Sequence, residues 1–203
     1  MAIKKIYLVR HGQTDYNKRG IVQGSGIDAP LNETGKAQAH AFFEAYKSVA
    51  FDKIYVSSLQ RTRQSVQGFI DSGIPYEPLA DLNEISWGDY EGVPMTPDEN
   101  VYYQKMLTTW QSGQLDYAIR GGESPLQVQA RLQVALDYIL SQKEETILIC
   151  MHGRAIRILL ATLLKYHLST MDVFTHANLC LYELTYLGQS FRIDRFDERG
   201  HLN

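Results

Sequence analysis

Cysteine is nearly absent from this 203-residue chain: Cys150 and Cys180 each sit in an apolar run, with no C-x-x-C spacing. That excludes a disulfide framework and a cysteine-built zinc site, and it suits the buried, reduced thiols of a cytoplasmic protein. Basic residues are also short. Lys and Arg number 20 against 23 Asp and Glu, a formal charge of −3 with histidines neutral, whereas a nucleic-acid binder carries a basic surplus or stripe. Long hydrophobic runs are missing too: the strongest, Ile158 to Leu164, falls well below the ~20 residues of a membrane span. Met1 to Val9 turns polar at Arg10 before an export-signal core forms, so neither membrane nor nucleic acid is an expected partner. The glycines at 20, 24 and 26 are not followed by Gly-Lys-Ser/Thr, and no G-x-G-x-x-G occurs, which removes support for nucleotide-driven chemistry and nicotinamide binding. The six histidines show no H-x-x-x-H or H-x-H spacing, so no metal is expected. What is present is ordinary globular composition, 44% hydrophobic and 21% charged, without repeats, low complexity or a Pro/Ser-rich linker. One domain over 1–203 follows, with an insertion at about 93–122.

The periodicity alternates strand with helix. Lys4 to Val9 reads as a buried strand broken at Gly12. After a polar loop, Asn32 caps a helix to about Val49, and Lys53 to Val56 is a second strand. Ser57-Ser58 is an N-cap signal for a helix carrying Arg61 and ending near Gly73. Pro75 to Gly92 predicts a short strand and an irregular loop, and the insertion predicts a helix around Glu99 to Trp110. Ser124-Pro125-Leu126-Gln127 is a capping box opening a helix to Ser141. Thr146 to Met151 is a continuous apolar strand, followed by His152-Gly153 and a helix from Arg154 to Leu164. Asn178 to Tyr186 and Ser190 to Phe196 read as a hairpin. The pattern is that of an α/β fold, three-layer α/β/α around a mainly parallel sheet.

In such a sheet, ligands bind beyond the carboxyl ends of strands, at helix N-termini. That rule gathers Arg10-His11, Arg61 and His152 on one edge, with the backbone amides after His152 expected to add partial positive charge. An anion belongs there, and a phosphoryl group fits because Arg offers forked donors matching its oxygens. His40, His167, His176 and His201 have no comparable setting. His11 becomes a nucleophile if a backbone carbonyl holds the proton on its other nitrogen, with Arg10 and Arg61 disfavouring the imidazolium form. The proton donor is a carboxyl. Glu84, flanked by apolar residues, competes with Asp89 and Glu91, and spacing alone does not choose among them.

In order along the chain, Leu8-Val9-Arg10-His11-Gly12-Gln13-Thr14 with Asn17, Pro30 to Gly35, Ser58-Leu59-Gln60-Arg61-Thr62-Arg63-Gln64-Ser65, Leu82 to Gly92, Gly121-Gly122-Glu123-Ser124 and Met151 to Arg157 resemble the signatures of the histidine phosphatase superfamily, phosphoglycerate-mutase-like branch. The departure is Asn32, where Thr or Ser is usual. The resemblance implies a phosphoglycerate mutase-like fold and a transient phosphohistidine on His11, held by Arg10, Arg61 and His152. It places the proton donor at Glu84, and Asn17, Gln23, Gly24 and Gly153 near phosphate or substrate. It implies no cofactor and no metal, and a small phosphorylated metabolite as partner.

The family includes mutases, whose lids carry paired arginines. Here the stretch from Glu91 to Gly122 offers only Lys105 and Arg120, which favours a phosphatase over a phosphoglycerate mutase. A non-catalytic phosphate-binding module is disfavoured because His11 and Glu84 are both present. Tyr90, Tyr102, Tyr103, Trp110 and Tyr117 are candidates for the substrate side of the insertion, with core packing as the alternative for each.

Overall fold

Alternate residues of the central strands divide between two cores. Ile6 and Leu8 with Ile147, Ile149 and Met151 enter one, while Tyr7 and Val9 with Leu148 and Cys150 enter the other. This period of two, apolar on both faces, requires cover on both sides. The computed structural model describes residues 3–202. Its strands β1 (Lys4–Arg10), β2 (Lys53–Val56), β3 (Tyr76–Pro78), β4 (Thr146–Met151), β5 (Leu181–Tyr186) and β6 (Phe191–Glu198) form one sheet in the order β3-β2-β4-β1-β5-β6. The first four are parallel, and β5 and β6 close one side as an antiparallel hairpin. One core is completed by α5 (Pro97–Gln111), α6 (Pro125–Ser141) and α7 (Gly153–Leu163). On the opposite face lie α2 (Glu33–Tyr46), through Phe42 and Tyr46, and α4 (Gln67–Asp71), through Phe69. The fold is the expected three-layer α/β/α arrangement.

The expected caps of α2 and α6 are present: Asn32 Oδ1 accepts from Gly35 N at 2.9 Å, and Ser124 and Gln127 form the reciprocal box. Several local readings change. The loop after β1 holds a short helix, α1 (Asp15–Arg19), opened by a Thr14–Asn17 capping box and closed by Gly20 in the left-handed region at φ 65°. The helix expected after β2 is two, α3 (Gln60–Ser65) and α4, interrupted at Val66, where φ reaches −119°. Neither Ser57 nor Ser58 is its cap; Leu59 holds that position, because Ser57 Oγ is engaged by His152 and Ser58 bonds Asn83. α5 starts at Pro97 rather than Glu99, since Thr96 and Glu99 form a further capping box with proline in the first turn. α2 stops at Tyr46 rather than Val49, and the hairpin strands begin at Leu181 and end at Glu198.

Segment 93–122 packs into the core through Met106, Trp110, Leu115 and Ile119. Trp110 is fully buried and its Nε1 donates to the Tyr117 carbonyl at 2.8 Å. Tyr102 and Tyr117 join hydroxyl to hydroxyl on the outside. Among the described residues no helix is long and apolar enough to cross a membrane.

Candidate active site

Strand register brings the two histidines together. Arg10 pairs with Met151, so the residues that follow them, His11 and His152, leave neighbouring strands at one edge, and His11 N donates to the Met151 carbonyl at 3.0 Å. Their ring centroids are 5.1 Å apart. Both are buried, and burial first, then the nearby guanidiniums of Arg61 and Arg10, holds each well below the ordinary histidine range, so both are neutral. Their hydrogen bonds differ. His11 Nδ1 lies 2.7 Å from the Gly12 carbonyl, and a carbonyl only accepts, so Nδ1 carries the proton and the lone pair is on Nε2. Arg61 Nε donates to His152 Nδ1 at 3.3 Å, so His152 carries its proton on Nε2 and donates it to Ser57 Oγ at 2.8 Å. Both ring nitrogens of His152 are therefore engaged.

Arg61 is fully buried at the start of α3 and donates to the carbonyls of Ile27 at 2.6 Å and Gly24 at 3.2 Å. Burial lowers its guanidinium to about 10, still charged at neutral pH. Arg10 donates from Nη1 to His176 Nδ1 at 3.0 Å, while its buried Nε has no partner among the described residues. Gly12 N donates to Ser65 Oγ at 2.8 Å, and Ser65 donates to the Arg61 carbonyl at 2.6 Å, tying the residue after His11 to α3.

The three carboxyl candidates occupy different surroundings. Asp89 pairs with exposed Arg120 at 3.0 Å. Glu91 is a loop clasp: its oxygens accept from Trp87 N and Gly26 N, each at 2.8 Å. Glu84 lines the cavity, with Oε1 accepting from Ile85 N and Ala155 N, both at 2.9 Å, and Oε2 accepting from Arg154 N at 3.0 Å. The amides at the start of α7, expected to add partial positive charge to the anion site, are thus taken by Glu84. Oε2 accepts a single bond and keeps a position for a proton.

A cavity of about 170 Å³ opens at this edge, lined by Arg10, Asn17, Ile21, Val22, Gln23, Glu84, Trp87, Tyr103, Gly153, Arg154 and His176. Asn17 Oδ1 accepts from Thr14 N and from Asn178 Nδ2, at 3.2 and 3.1 Å. Gln23 Oε1 accepts from Thr14 Oγ1 at 2.6 Å, leaving its buried Nε2 without a partner among the described residues. His11, Arg61, His152 and Gly24 are not in the lining; a side chain at Gly24 would meet Glu91 Oε1 at 2.0 Å and the Ile85 carbonyl at 2.6 Å. Of the five aromatics, Tyr103 alone lines the cavity.

Residue spacing missed His176, Asn178 and Arg154. His176 packs on Gly153, where a Cβ would come within 2.9 Å of its ring, and burial, then Arg10, lowers it to about 3. Asn178 Nδ2 donates to the His11 carbonyl at 3.0 Å. A topological signal existed, because an antiparallel neighbour of β1 must begin where β1 ends. Arg154 stacks its guanidinium 5.8 Å from the Trp87 ring and 5.6 Å from that of Trp110, and shares Asp172 with Arg157. Neither Lys105 nor Arg120 of the insertion lines the cavity, whereas Arg154 of α7 does.

Charged guanidiniums, a neutral imidazole with a free lone pair and a held carboxyl suit an α/β enzyme handling a phosphoryl group. The model of the histidine phosphatase superfamily (branch 1) matches residues 6–199, and the chain belongs to that family. Its relatives in that family include named phosphatases, in keeping with a phosphoric monoester hydrolase. It is similar to a probable phosphatase of Schizosaccharomyces pombe, 32% identical over 160 residues, covering 76% of this chain and 71% of that protein. A probable phosphoglycerate mutase, GpmB, of Yersinia enterocolitica is 32% identical over 165 residues, covering 79% and 74%. The structure of a mycobacterial glucosyl-3-phosphoglycerate phosphatase in complex with VO3 superposes with a TM-score of 0.85 at 26% identity, over 97% of this chain and 100% of that one.

Proposed function

We propose that the protein hydrolyses small phosphomonoesters through a phosphohistidine on His11. The observation that carries this reading is the buried His11 ring, whose Nδ1–H is fixed on Gly12 while Nε2 keeps its lone pair beside Arg10 and Arg61. Nε2 attacks phosphorus, the ester P–O bond breaks, and the leaving oxygen takes the proton of the Glu84 carboxyl. The alcohol departs, leaving a phosphoramidate on Nε2 and a carboxylate on Glu84. That carboxylate then takes a proton from water, the hydroxyl oxygen attacks phosphorus, and the N–P bond breaks. Inorganic phosphate leaves, His11 regains its lone pair, and Glu84 is protonated again. Arg10 and Arg61 offset charge on the phosphoryl oxygens, with His152 beside them. The unpartnered Arg10 Nε and Gln23 Nε2 are donors for those oxygens, supported by Asn17 and Gly153 in the cavity wall. Gly24 contributes by admitting the Glu91 clasp.

The chain works in this reading as one domain, with 93–122 supplying Tyr103 to the cavity wall. Its two buried, unpaired cysteines fit a cytoplasmic setting. Arg154 in the cavity favours the second reading, a mutase, because it supplies a cation for an acidic substrate; its pairing with Asp172 counts against that use. A phosphomonoester panel assayed with and without 2,3-bisphosphoglycerate decides between them. Free phosphate as product, independent of the bisphosphate, is the expected result. Bisphosphate-dependent phosphoryl shift establishes the mutase, and phosphate binding without turnover establishes a non-catalytic module.

A further inference from the structure

Arg131 lies on α6, outside the cavity wall, and every N–H of its guanidinium has an acceptor. Nε and Nη2 grip the two carboxylate oxygens of Glu123 at 2.8 and 2.9 Å. Nη1 donates to the carbonyls of Asp81 and Asn83, both at 2.8 Å, and Nη2 donates to the carbonyl of Glu84 at 3.0 Å. Three carbonyls of one short segment therefore converge on a single side chain.

That segment needs an external holder. After the 3₁₀ turn Ala80–Leu82, residues 83–87 belong to no helix or strand, so no ladder fixes their carbonyls. Glu123 completes the hold from the same side: its Oε2 accepts from Ser86 N, and its own N donates to the Ser86 carbonyl, both at 2.9 Å. Burial opposes ionisation of Glu123, but Arg131 and the Ser86 amide outweigh it and keep the carboxyl below its ordinary range. Glu84 is thus restrained twice, at its main chain by α6 and at its carboxyl by the first amides of α7. Among the described residues Arg131 makes no hydrogen bond to Arg10, His11, Arg61 or His152.

We propose that Arg131 is a positioning residue for the proton-donor step: with Glu123 it fixes the 81–86 main chain where the Glu84 carboxyl meets both the α7 N-terminus and the leaving oxygen. The proposal rests on the assignment of Glu84 as acid. Loosening this segment should displace the acid while leaving the nucleophile and its guanidiniums in place. Esters with poor leaving groups depend on the acid, whereas activated aryl phosphates hardly do.

The experiment compares Arg131→Met and Arg131→Lys with the unaltered chain on p-nitrophenyl phosphate and on an alkyl phosphate that the protein hydrolyses. Arg131→Lys keeps the charge, which also bears on His152, and removes the fork, so it separates field from geometry. Both variants should lose about 10- to 100-fold in kcat on the alkyl ester and less than about threefold on the aryl ester. Millimolar guanidinium should restore the alkyl rate of Arg131→Ala. Should Arg131→Met fail to fold, Arg131→Lys carries the comparison. Equal slowing of both esters, or no slowing, in folded Arg131→Lys overturns the proposal. Glu84→Gln assayed alongside keeps the two assignments apart. A leaving-group bias there without one in Arg131→Lys rejects only the positioning role, and no bias in Glu84→Gln rejects the acid assignment on which it rests.

Discussion

Arg61 Nε donates to Nδ1 of His152 at 3.3 Å, and this bond distinguishes two histidines that look alike along the chain. It occupies the lone pair of Nδ1, the nitrogen that would otherwise attack, and Nε2 of His152 donates its proton to Ser57 Oγ. His11 has no such competitor on Nε2, because its Nδ1 proton is held by Gly12.

The label from a phosphorylated substrate is therefore expected on His11. His11→Ala should abolish turnover and phosphoenzyme while preserving the fold. His152→Ala should slow labelling yet still place it on His11. Acid-quenched peptide mapping checks this, and phosphate attached to His152 would reverse the roles.

Glu84→Gln should depress alkyl phosphate hydrolysis by about 10²- to 10⁴-fold, the usual span for a lost proton donor, and aryl phosphate hydrolysis far less. Gln keeps one carbonyl oxygen for the Ile85 and Ala155 amides and gives up only the acceptor of Arg154 N, so the fold should survive. A plot of log kcat against leaving-group pKa measures it; unchanged slope would remove Glu84 from the acid role. Chelator should leave the rate as it was.

His176 accepts from Arg10 and is lowered by burial, then by Arg10, to about 3, so the folded protein binds one proton fewer than the unfolded chain between about pH 3 and 6.5. Its contribution to stability is full above the unfolded value and lost as pH falls through that window. His176→Gln retains an acceptor for Arg10 without the titration. The slope of unfolding free energy against pH should drop by about 1.4 kcal/mol per pH unit in that window. Urea titrations at several pH values measure it, and an unaltered slope would show that His176 is not held neutral.

Gly35 meets the loop after His11 at very short range: a Cβ there would lie 2.1 Å from the Gln13 carbonyl oxygen and 2.8 Å from its nitrogen. These are backbone atoms on both sides, so no side chain can swing away. Gly35→Ala should cost about 1–3 kcal/mol or more in urea unfolding, the range for forced overpacking, and lower kcat by moving His11. A loss under about 0.5 kcal/mol would show that the loop yields freely.

The readings that succeeded were local ones. Continuous apolar runs in β1 and β4, separated by helical stretches, called for a sheet covered on both faces, and the Ser124 capping box marked the start of α6. The misses have two causes, partners distant in sequence and local caps in loop-like composition. Ser57 has the chemistry of an N-cap but serves a histidine distant in sequence, and Thr14–Asn17 and Thr96–Glu99 are capping boxes masked by loop-like composition. His176 was set aside because nothing near it in sequence recommends it, yet β5 must start beside the end of β1.

The amino-acid order by itself determined the layers, the edge at which strands deliver Arg10, His11 and His152, and the residue types able to handle a phosphoryl group. These follow from period, propensity and strand polarity, which act over a few residues. The tertiary structure decided which histidine keeps a lone pair, which carboxyl among Glu84, Asp89 and Glu91 enters the cavity, and that α7 amides bind that carboxyl. It also decided that Arg154 of α7 joins Arg10 in the cavity wall, and that Arg131 holds the acid's main chain. Hydrogen-bond direction and burial depend on partners brought from distant parts of the chain, and only packing selects them.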